Sequence, residues 1–360
     1  MPDVTPATLS AQEIAAALTR RVVGQEAAVR EMSVAIAKKA AGLGVGHILL
    51  IGSSGTGKTT LMRAVEEMLA SDARLAGRSA VVRLHANVLG EEAEAGRPGA
   101  AVFRRLLERA REQLGDAATR EQVLERAGQG LVFVDEVDKI RAHVGGQPNT
   151  RGIRAQEALL TLMENEVVPV DLPAWLGGGS ASFDARGLLF VCGGAFEGLY
   201  DAVFDRVTIG EDKGQLQPVT AVEDGKVVER LVFRLADWLR NDDLFEYGMT
   251  PQFLARFDAV VLLEDLGVDE LVKIFLDNPD SGFQQTRAWF ASRGIQFAIS
   301  PDAVRAIARA AARQPRLGAR ALKEVFRRVV RDIEYEPEKH AAQSVFLLDL
   351  SHVRRALGDG

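Results

Sequence analysis

Residues Gly52-Ser53-Ser54-Gly55-Thr56-Gly57-Lys58-Thr59 have the types and spacing of a loop built to hold phosphate. Glycines let a backbone curl until its N–H groups converge on anionic oxygens. In such a loop Lys58 reaches the β and γ phosphates and Thr59 places a hydroxyl on Mg²⁺. The helix that follows, beginning with Thr59 and Thr60, aims its positive end at the same charge. A plain glycine-rich turn would share the glycines but not Lys-Thr at this spacing. Further along, Leu131-Val132-Phe133-Val134-Asp135-Glu136 is an apolar run ending on two carboxylates. Asp135 would hold the Mg²⁺ shell, and Glu136 would orient and polarise an attacking water. Alone, Asp-Glu after a strand reads as a solvated turn; with the phosphate loop upstream the pair reads as hydrolytic.

These groups must be carried by a particular kind of frame. Residues 47–51 form a short apolar run that reads as a buried strand feeding a helix over about 59–69. Further strands are expected at 80–84, 131–134, 188–192 and 258–263, with helical stretches between them. That alternation predicts an α/β fold, a mostly parallel sheet flanked by helices, with ligands at the carboxyl ends of its strands. Before it, 1–21 reads as a short leading helix and 25–41 as a longer one with Val29, Met32 and Ile36 along one stripe. Around 206–230 the pattern breaks into a polar segment, where Asp224-Gly225 between 219–222 and 227–228 predicts a hairpin insertion. After Leu266 the chain becomes mainly helical, with Ser300-Pro301 as cap and first helical residue, then Leu322, Val325, Phe326, Val329 and Ile333 on one face. The expected organisation is an N-terminal helical extension (1–21), a large phosphate-loop domain (22–265) and a smaller helical domain (266–360).

Composition narrows the class. The chain has 360 residues, 47% hydrophobic and 26% charged, which suits an ordinary globular protein. Its start lacks a signal peptide's basic head and apolar stretch, and no apolar run approaches the ~20 residues that span a bilayer, so a cytoplasmic setting without membrane contact is expected. The single cysteine, Cys192, excludes an internal disulfide and has no histidine near it in sequence, so it is assigned no chemistry. The five histidines do not join it at a metal-ligand spacing, and no structural zinc is expected. A net charge of -6 argues against a general affinity for nucleic acid and for a protein partner.

The phosphate loop and the carboxylate pair are joined by further segments in which the chain resembles the ClpX branch of the AAA+ unfoldases, from Val22 to the end. Val22-Val23-Gly24-Gln25 is similar to that family's adenine-contacting segment, and Val134-Asp135-Glu136-Val137-Asp138-Lys139-Ile140 to its Walker B segment. Leu189-Phe190-Val191-Cys192-Gly193-Gly194-Ala195-Phe196 resembles the sensor 1 strand. Thr250-Pro251-Gln252-Phe253-Leu254-Ala255-Arg256 resembles the helix bearing the arginine finger, and Leu317-Gly318-Ala319-Arg320-Ala321-Leu322 the sensor 2 helix. The resemblance implies an AAA+ large domain with a helical lid, and ATP with Mg²⁺ as ligands. It further implies a homo-oligomeric ring, a hexamer in this family, in which Arg256 reaches a neighbour's γ phosphate and Arg320 the nucleotide of its own subunit.

Elsewhere the resemblance fails. Where threading relatives carry a Gly-aromatic-aliphatic-Gly pore loop, this chain reads Ala95-Gly96-Arg97-Pro98-Gly99; Phe103, by its spacing with Leu106, Leu107 and Ala110, reads as core. The segment between Arg141 and Gln156, where the family has a second pore loop, is shortened, and the basic entrance loop is replaced by the region around Pro173 to Gly179. The insertion offers Ile209-Gly210-Glu211 instead of the tripeptide that docks on the ClpP peptidase, which argues against ClpP as a partner. The family's zinc-binding N-terminal domain is not expected either. Two readings follow: an ATP-driven ring that remodels or disassembles a protein partner, or an ATP-switched scaffold in which hydrolysis is a timer. A DNA-associated AAA+ protein is disfavoured by the acidic charge.

Overall fold

Five short apolar runs assemble into one parallel sheet in the computed structural model, which describes residues 9–72, 74–75, 79–164, 166–210, 212, 216, 218–223, 226–231 and 233–358, with 218–223 and 226–231 described as backbone. The strands are β1 (His47–Ile51), β2 (Val81–His85), β3 (Leu131–Asp135), β4 (Leu189–Gly194) and β5 (Phe257–Leu262), in the order β5-β1-β4-β3-β2. Every pairing is parallel, so the carboxyl ends of all five lie on one edge. Ile51 pairs with Gly194 and Leu262, and His85 with Asp135. β1 and β4 are buried along their whole length, as expected of central parallel strands covered on both faces. The boundaries expected from the sequence agree to within two residues.

Helices in the connections between strands start for local reasons. The Arg120–Gly128 helix opens on a capping box in which Thr119 and Gln122 satisfy each other's backbone. The Thr150–Met163 helix is capped by Asn149, whose side chain accepts from Gly152 N. Helix and sheet side chains including Leu84, Phe103, Leu106, Val134, Phe190 and Phe253 form one core, and Phe103 lies in it edge-on to Phe183. His47 opens β1 at 3% exposure: Nδ1 accepts from Phe190 N at 3.2 Å, which leaves Nε2 to donate to Met163 O at 3.2 Å. Burial pushes this imidazole below its usual pKa.

The expected hairpin is present as Pro218–Glu223 paired antiparallel with Lys226–Leu231; its turn, Asp224-Gly225, and Glu211 lie outside the described residues. The insertion starts later than 206, because the Leu199–Thr208 helix continues past it. A second hairpin, Val167–Asp171 with Ser180–Asp184, was not legible as such in the sequence.

Packing groups the chain into two units. Among the described residues, the sheet unit comprises 9–11, Glu31–Ile51 and those within 66–262; the other comprises Gln12–Arg30, Gly52–Val65 and 263–358. The second unit has its own core of Leu271, Phe275, Phe290, Phe297, Phe326 and Phe346. Its Pro301–Ala312 helix begins as expected, with Ala303 N donating to Ser300 Oγ at 3.3 Å. The Ala319–Tyr335 helix buries Leu322, Val325, Phe326, Val329 and Ile333. A two-stranded parallel ladder, Gln296–Ile299 with Val345–Leu348, was not anticipated: each strand has four residues, too few for a period to emerge. No helix among the described residues is long and apolar enough to cross a membrane.

Candidate nucleotide site

The phosphate loop leaves the end of β1 directly, Gly52 following Ile51, and opens into the Lys58–Ser71 helix, whose first turn closes with Leu61 N donating to Gly57 O at 2.8 Å. Gly55 and Gly57 have φ of 78° and 109°, a region that side-chain-bearing residues rarely enter. A Cβ on Gly55 would also collide with the Leu317 carbonyl oxygen. Thr56, 1% exposed, ties the turn by donating from Oγ1 to Ser53 O at 2.9 Å. Lys58 is 8% exposed and curls into the loop, donating from Nζ to Gly52 O and, at 3.0 Å, to Ser53 O. Ser54 is partly buried, and Thr59 and Thr60 lie on the exposed side of the helix start. An inward ammonium at a helix N-terminus matches a polyphosphate in charge and in donor type.

Two further expected segments attach to this loop. Val22 is buried and Val23 partly so, and Gln25, at 4% exposure, donates from Nε2 to Thr56 O (2.9 Å) and Glu264 O (2.8 Å) and accepts from Glu264 N (3.0 Å). The segment 22–25 is thus fastened to the loop by one amide. Ala319 N donates to Gly55 O at 3.2 Å, which sets Arg320 in the first turn of its helix beside the loop, with its side chain exposed. A cation in a first turn opposes the helix dipole, so helix stability does not account for Arg320.

On the sheet edge, Asp135 ends β3 and accepts from Glu136 N at 2.9 Å. Glu136 stands in the left-handed region, φ 61° and ψ 36°, which costs a non-glycine residue about 1 kcal/mol. Its half-exposed carboxylate lies 3.5 Å from His85 Nδ1. Asp138, 1% exposed, accepts from Ala195 N at 3.1 Å and leaves no room for a side chain on Gly194, a physical reason for glycine at the end of β4. Asp135 and Thr59 are hard oxygen donors of the kind Mg²⁺ takes. Cys192 is fully buried, which raises its thiol pKa far above the ordinary range and keeps it inert.

Arg256 lies just past the short Pro251–Leu254 turn, and its guanidinium pairs with Glu164 at 3.0 Å, both side chains well exposed. Such pairs contribute little. The Ala95–Gly99 segment is a tight link between the Ala86–Glu94 and Ala100–Leu114 helices. Arg97 N donates to Glu92 O at 2.8 Å and Ala101 N to Glu92 Oε1 at 2.7 Å, while the Arg97 and Pro98 side chains face outward.

The family model described as "ATPase family associated with various cellular activities (AAA)" matches residues 48–192, from β1 into β4. The chain is also 30% identical over 352 residues to the protein named ATP-dependent Clp protease ATP-binding subunit ClpX 3 of Methylococcus capsulatus, covering 90% of this chain and 76% of that one. The chain belongs to the ClpX family. It is similar at 28% identity to ClpX 2 of Wolinella succinogenes and at 27% to ClpX of Treponema denticola, each across 93% of this chain and 79% of the relative.

Three residues of this ClpX-family chain escaped sequence reasoning. His85 meets Glu136 only because β2 and β3 are in register; Asp138 is one more acidic residue until burial singles it out; and Gln156 is an ordinary helix residue in the sequence. For Asp138, the one available signal is a charge inside an otherwise apolar segment, Val137 and Ile140 being buried on either side.

Proposed function

We propose that the chain is an ATP-hydrolysing ring motor that remodels or disassembles a protein partner without docking on ClpP, its large domain at 22–265 and its lid at 266–360. Membership of the ClpX family supports an ATP-driven motor of the chaperone type. The observation that carries the site assignment is the loop Gly52–Thr59, with its left-handed glycines and inward Lys58.

In this reading Val22 and Val23 pack on adenine, and the Gly52–Thr60 segment with Lys58 binds the β and γ phosphates. Thr59 and Asp135 hold Mg²⁺, which when bound neutralises phosphate charge. Glu136 takes up a proton from the attacking water as it adds to the γ phosphorus, and ADP departs. Arg320 senses the nucleotide of its own subunit. Arg256, released from its weak pair with Glu164, reaches the neighbouring subunit and stabilises charge spread over the transferring phosphoryl group, so an isolated subunit has an incomplete site. The ring is expected to be a hexamer by family likeness, and its setting cytoplasmic. The outward Arg97 and Pro98 present no aromatic grip, which favours remodelling over processive threading and also suits the alternative of an ATP-switched scaffold.

The test is ATP turnover against protein concentration for the unmodified chain and for Lys58→Ala, Glu136→Gln and Arg256→Ala, alone and mixed. A ring motor gains specific activity with concentration, loses it in all three variants, and is inhibited by Arg256→Ala subunits in mixtures. A chain that binds ATP and assembles, yet turns over nothing at any concentration, is the scaffold instead.

A further inference from the structure

The side chain of Gln156 is 1% exposed, yet it is polar, and it makes three hydrogen bonds to backbone. Nε2 donates to Ile140 O at 2.7 Å and to Gly248 O at 2.9 Å, and Oε1 accepts from Thr250 N at 2.8 Å. Both donors and one acceptor position are therefore used, which makes this amide a fixed bracket and not an adaptable filler. Its partners belong to two segments far apart in sequence. Ile140 ends the turn that follows Asp135 and Glu136; Gly248 and Thr250 immediately precede the Pro251–Leu254 turn and Arg256.

The two segments are fastened at other points as well. Ala142 N donates to Gly248 O at 2.7 Å, His143 Nε2 lies 2.9 Å from Glu246 O, and Arg141 lies over the Tyr247 ring at 5.1 Å. Phe196, next to the residue that donates to Asp138, has its ring centroid 5.3 Å from that of Tyr247. Gln156 is the member of this set that touches both segments from a third element. The same helix ends at Glu164, the residue that pairs with the Arg256 guanidinium. One helix thus holds the backbone root of Arg256 at one point and its side chain at another.

We propose that Gln156 is a positioning residue that couples the exit of the strand bearing Asp135 and Glu136 to the arginine that the same subunit offers its neighbour. A displacement at Ile140 has a hydrogen-bonded path through the buried Gln156 amide to Thr250, and from there along the short Pro251–Leu254 turn to Arg256. Through Gln156 the state of one subunit's site sets the competence of the next. This rests on the reading of Arg256 as acting in trans.

The experiment is a complementation. Gln156→Met keeps the length of the side chain and removes all three bonds. Thr250→Pro removes the N–H that meets Oε1 and leaves the two Nε2 bonds, at a residue whose φ of -75° suits proline and whose side chain makes no cap bond. Each variant alone is expected to lose about tenfold or more in kcat through misplacement of a reacting group, with the dissociation constant for a fluorescent ATP analogue unchanged. Mixed with Glu136→Gln subunits, which have dead sites but sound arginines, either variant should recover turnover several-fold above both parents. A structural defect confined to the variant's own site would not be rescued. If Arg256→Ala complements Glu136→Gln but neither Gln156→Met nor Thr250→Pro does, the coupling role is overturned. If Arg256→Ala itself fails to complement, the trans reading has failed and this inference goes with it.

Discussion

Two glycine-bearing loops of this chain, Gly52–Thr59 and Ala95–Gly99, use one backbone device for opposite ends. Each has two glycines at positive φ, 78° and 109° in the first, 72° and 78° in the second, and each opens a helix. In the first, the cation Lys58 turns inward and Gly55 is hemmed in by backbone. In the second, the cation and the proline face out, a Cβ on Gly96 would meet open space, and the new helix start already has its anion, since Ala101 N donates to the chain's own Glu92. A helix N-terminus becomes an anion site only where the protein leaves that position for a ligand. Glycine content and helix placement alone would have made the two loops look alike.

The largest expected effect would test that contrast outright. Lys58→Ala or Glu136→Gln should lower ATP turnover by about 10²–10³-fold, whereas Arg97→Ala should leave basal turnover within about twofold, as surface substitutions do. Phosphate release measures both, and comparable losses would break the comparison. Denaturation by urea gives the next. Gly55→Ala, strained in φ and obstructed by backbone, should cost about 2–4 kcal/mol, and Gly96→Ala, strained only, about 1 kcal/mol. Gly99→Ala, whose Cβ would lie 2.8 Å from Leu162 Cδ2, should fall between them. Glu92→Ala, which strips the cap from Ala101 N, should cost about 1 kcal/mol, and Glu92→Gln less, because the acceptor remains.

The smallest effect sharpens the comparison by separating the sheet from both loops. The folded pKa of His47 lies below the ordinary imidazole value of 6.5, so the fold prefers neutral imidazole. Its contribution is therefore complete above pH 6.5 and is lost as the pH falls toward the folded value. Stability curves at decreasing pH should show this decline, and His47→Gln should flatten it.

How much was legible follows from range. The five sheet strands, the phosphate loop and the capped helix at Pro301 are local patterns, and they stand where spacing put them. The contacts around the candidate site are not local. His85 meets Glu136 through strand register, Asp138 is recognisable only once Ala195 is beside it, and Gln156 joins positions on either side of it in sequence, Ile140 and Thr250. Sequence periodicity reports which face of an element is apolar; it carries nothing about which distant backbone group a buried amide will find. The family resemblance helped most where it pointed to whole segments and least where this chain departs, as at Arg97-Pro98.

The left-handed backbone of Glu136 has a practical corollary. Glycine would adopt that conformation without strain, which offsets the backbone entropy it adds to the unfolded chain, so a screen for heat resistance blind to ATP turnover would accept Glu136→Gly although it removes the carboxylate proposed to take up a proton. A thermal-shift result as good as that of the unmodified chain at this one position would be a warning sign in any attempt to engineer it.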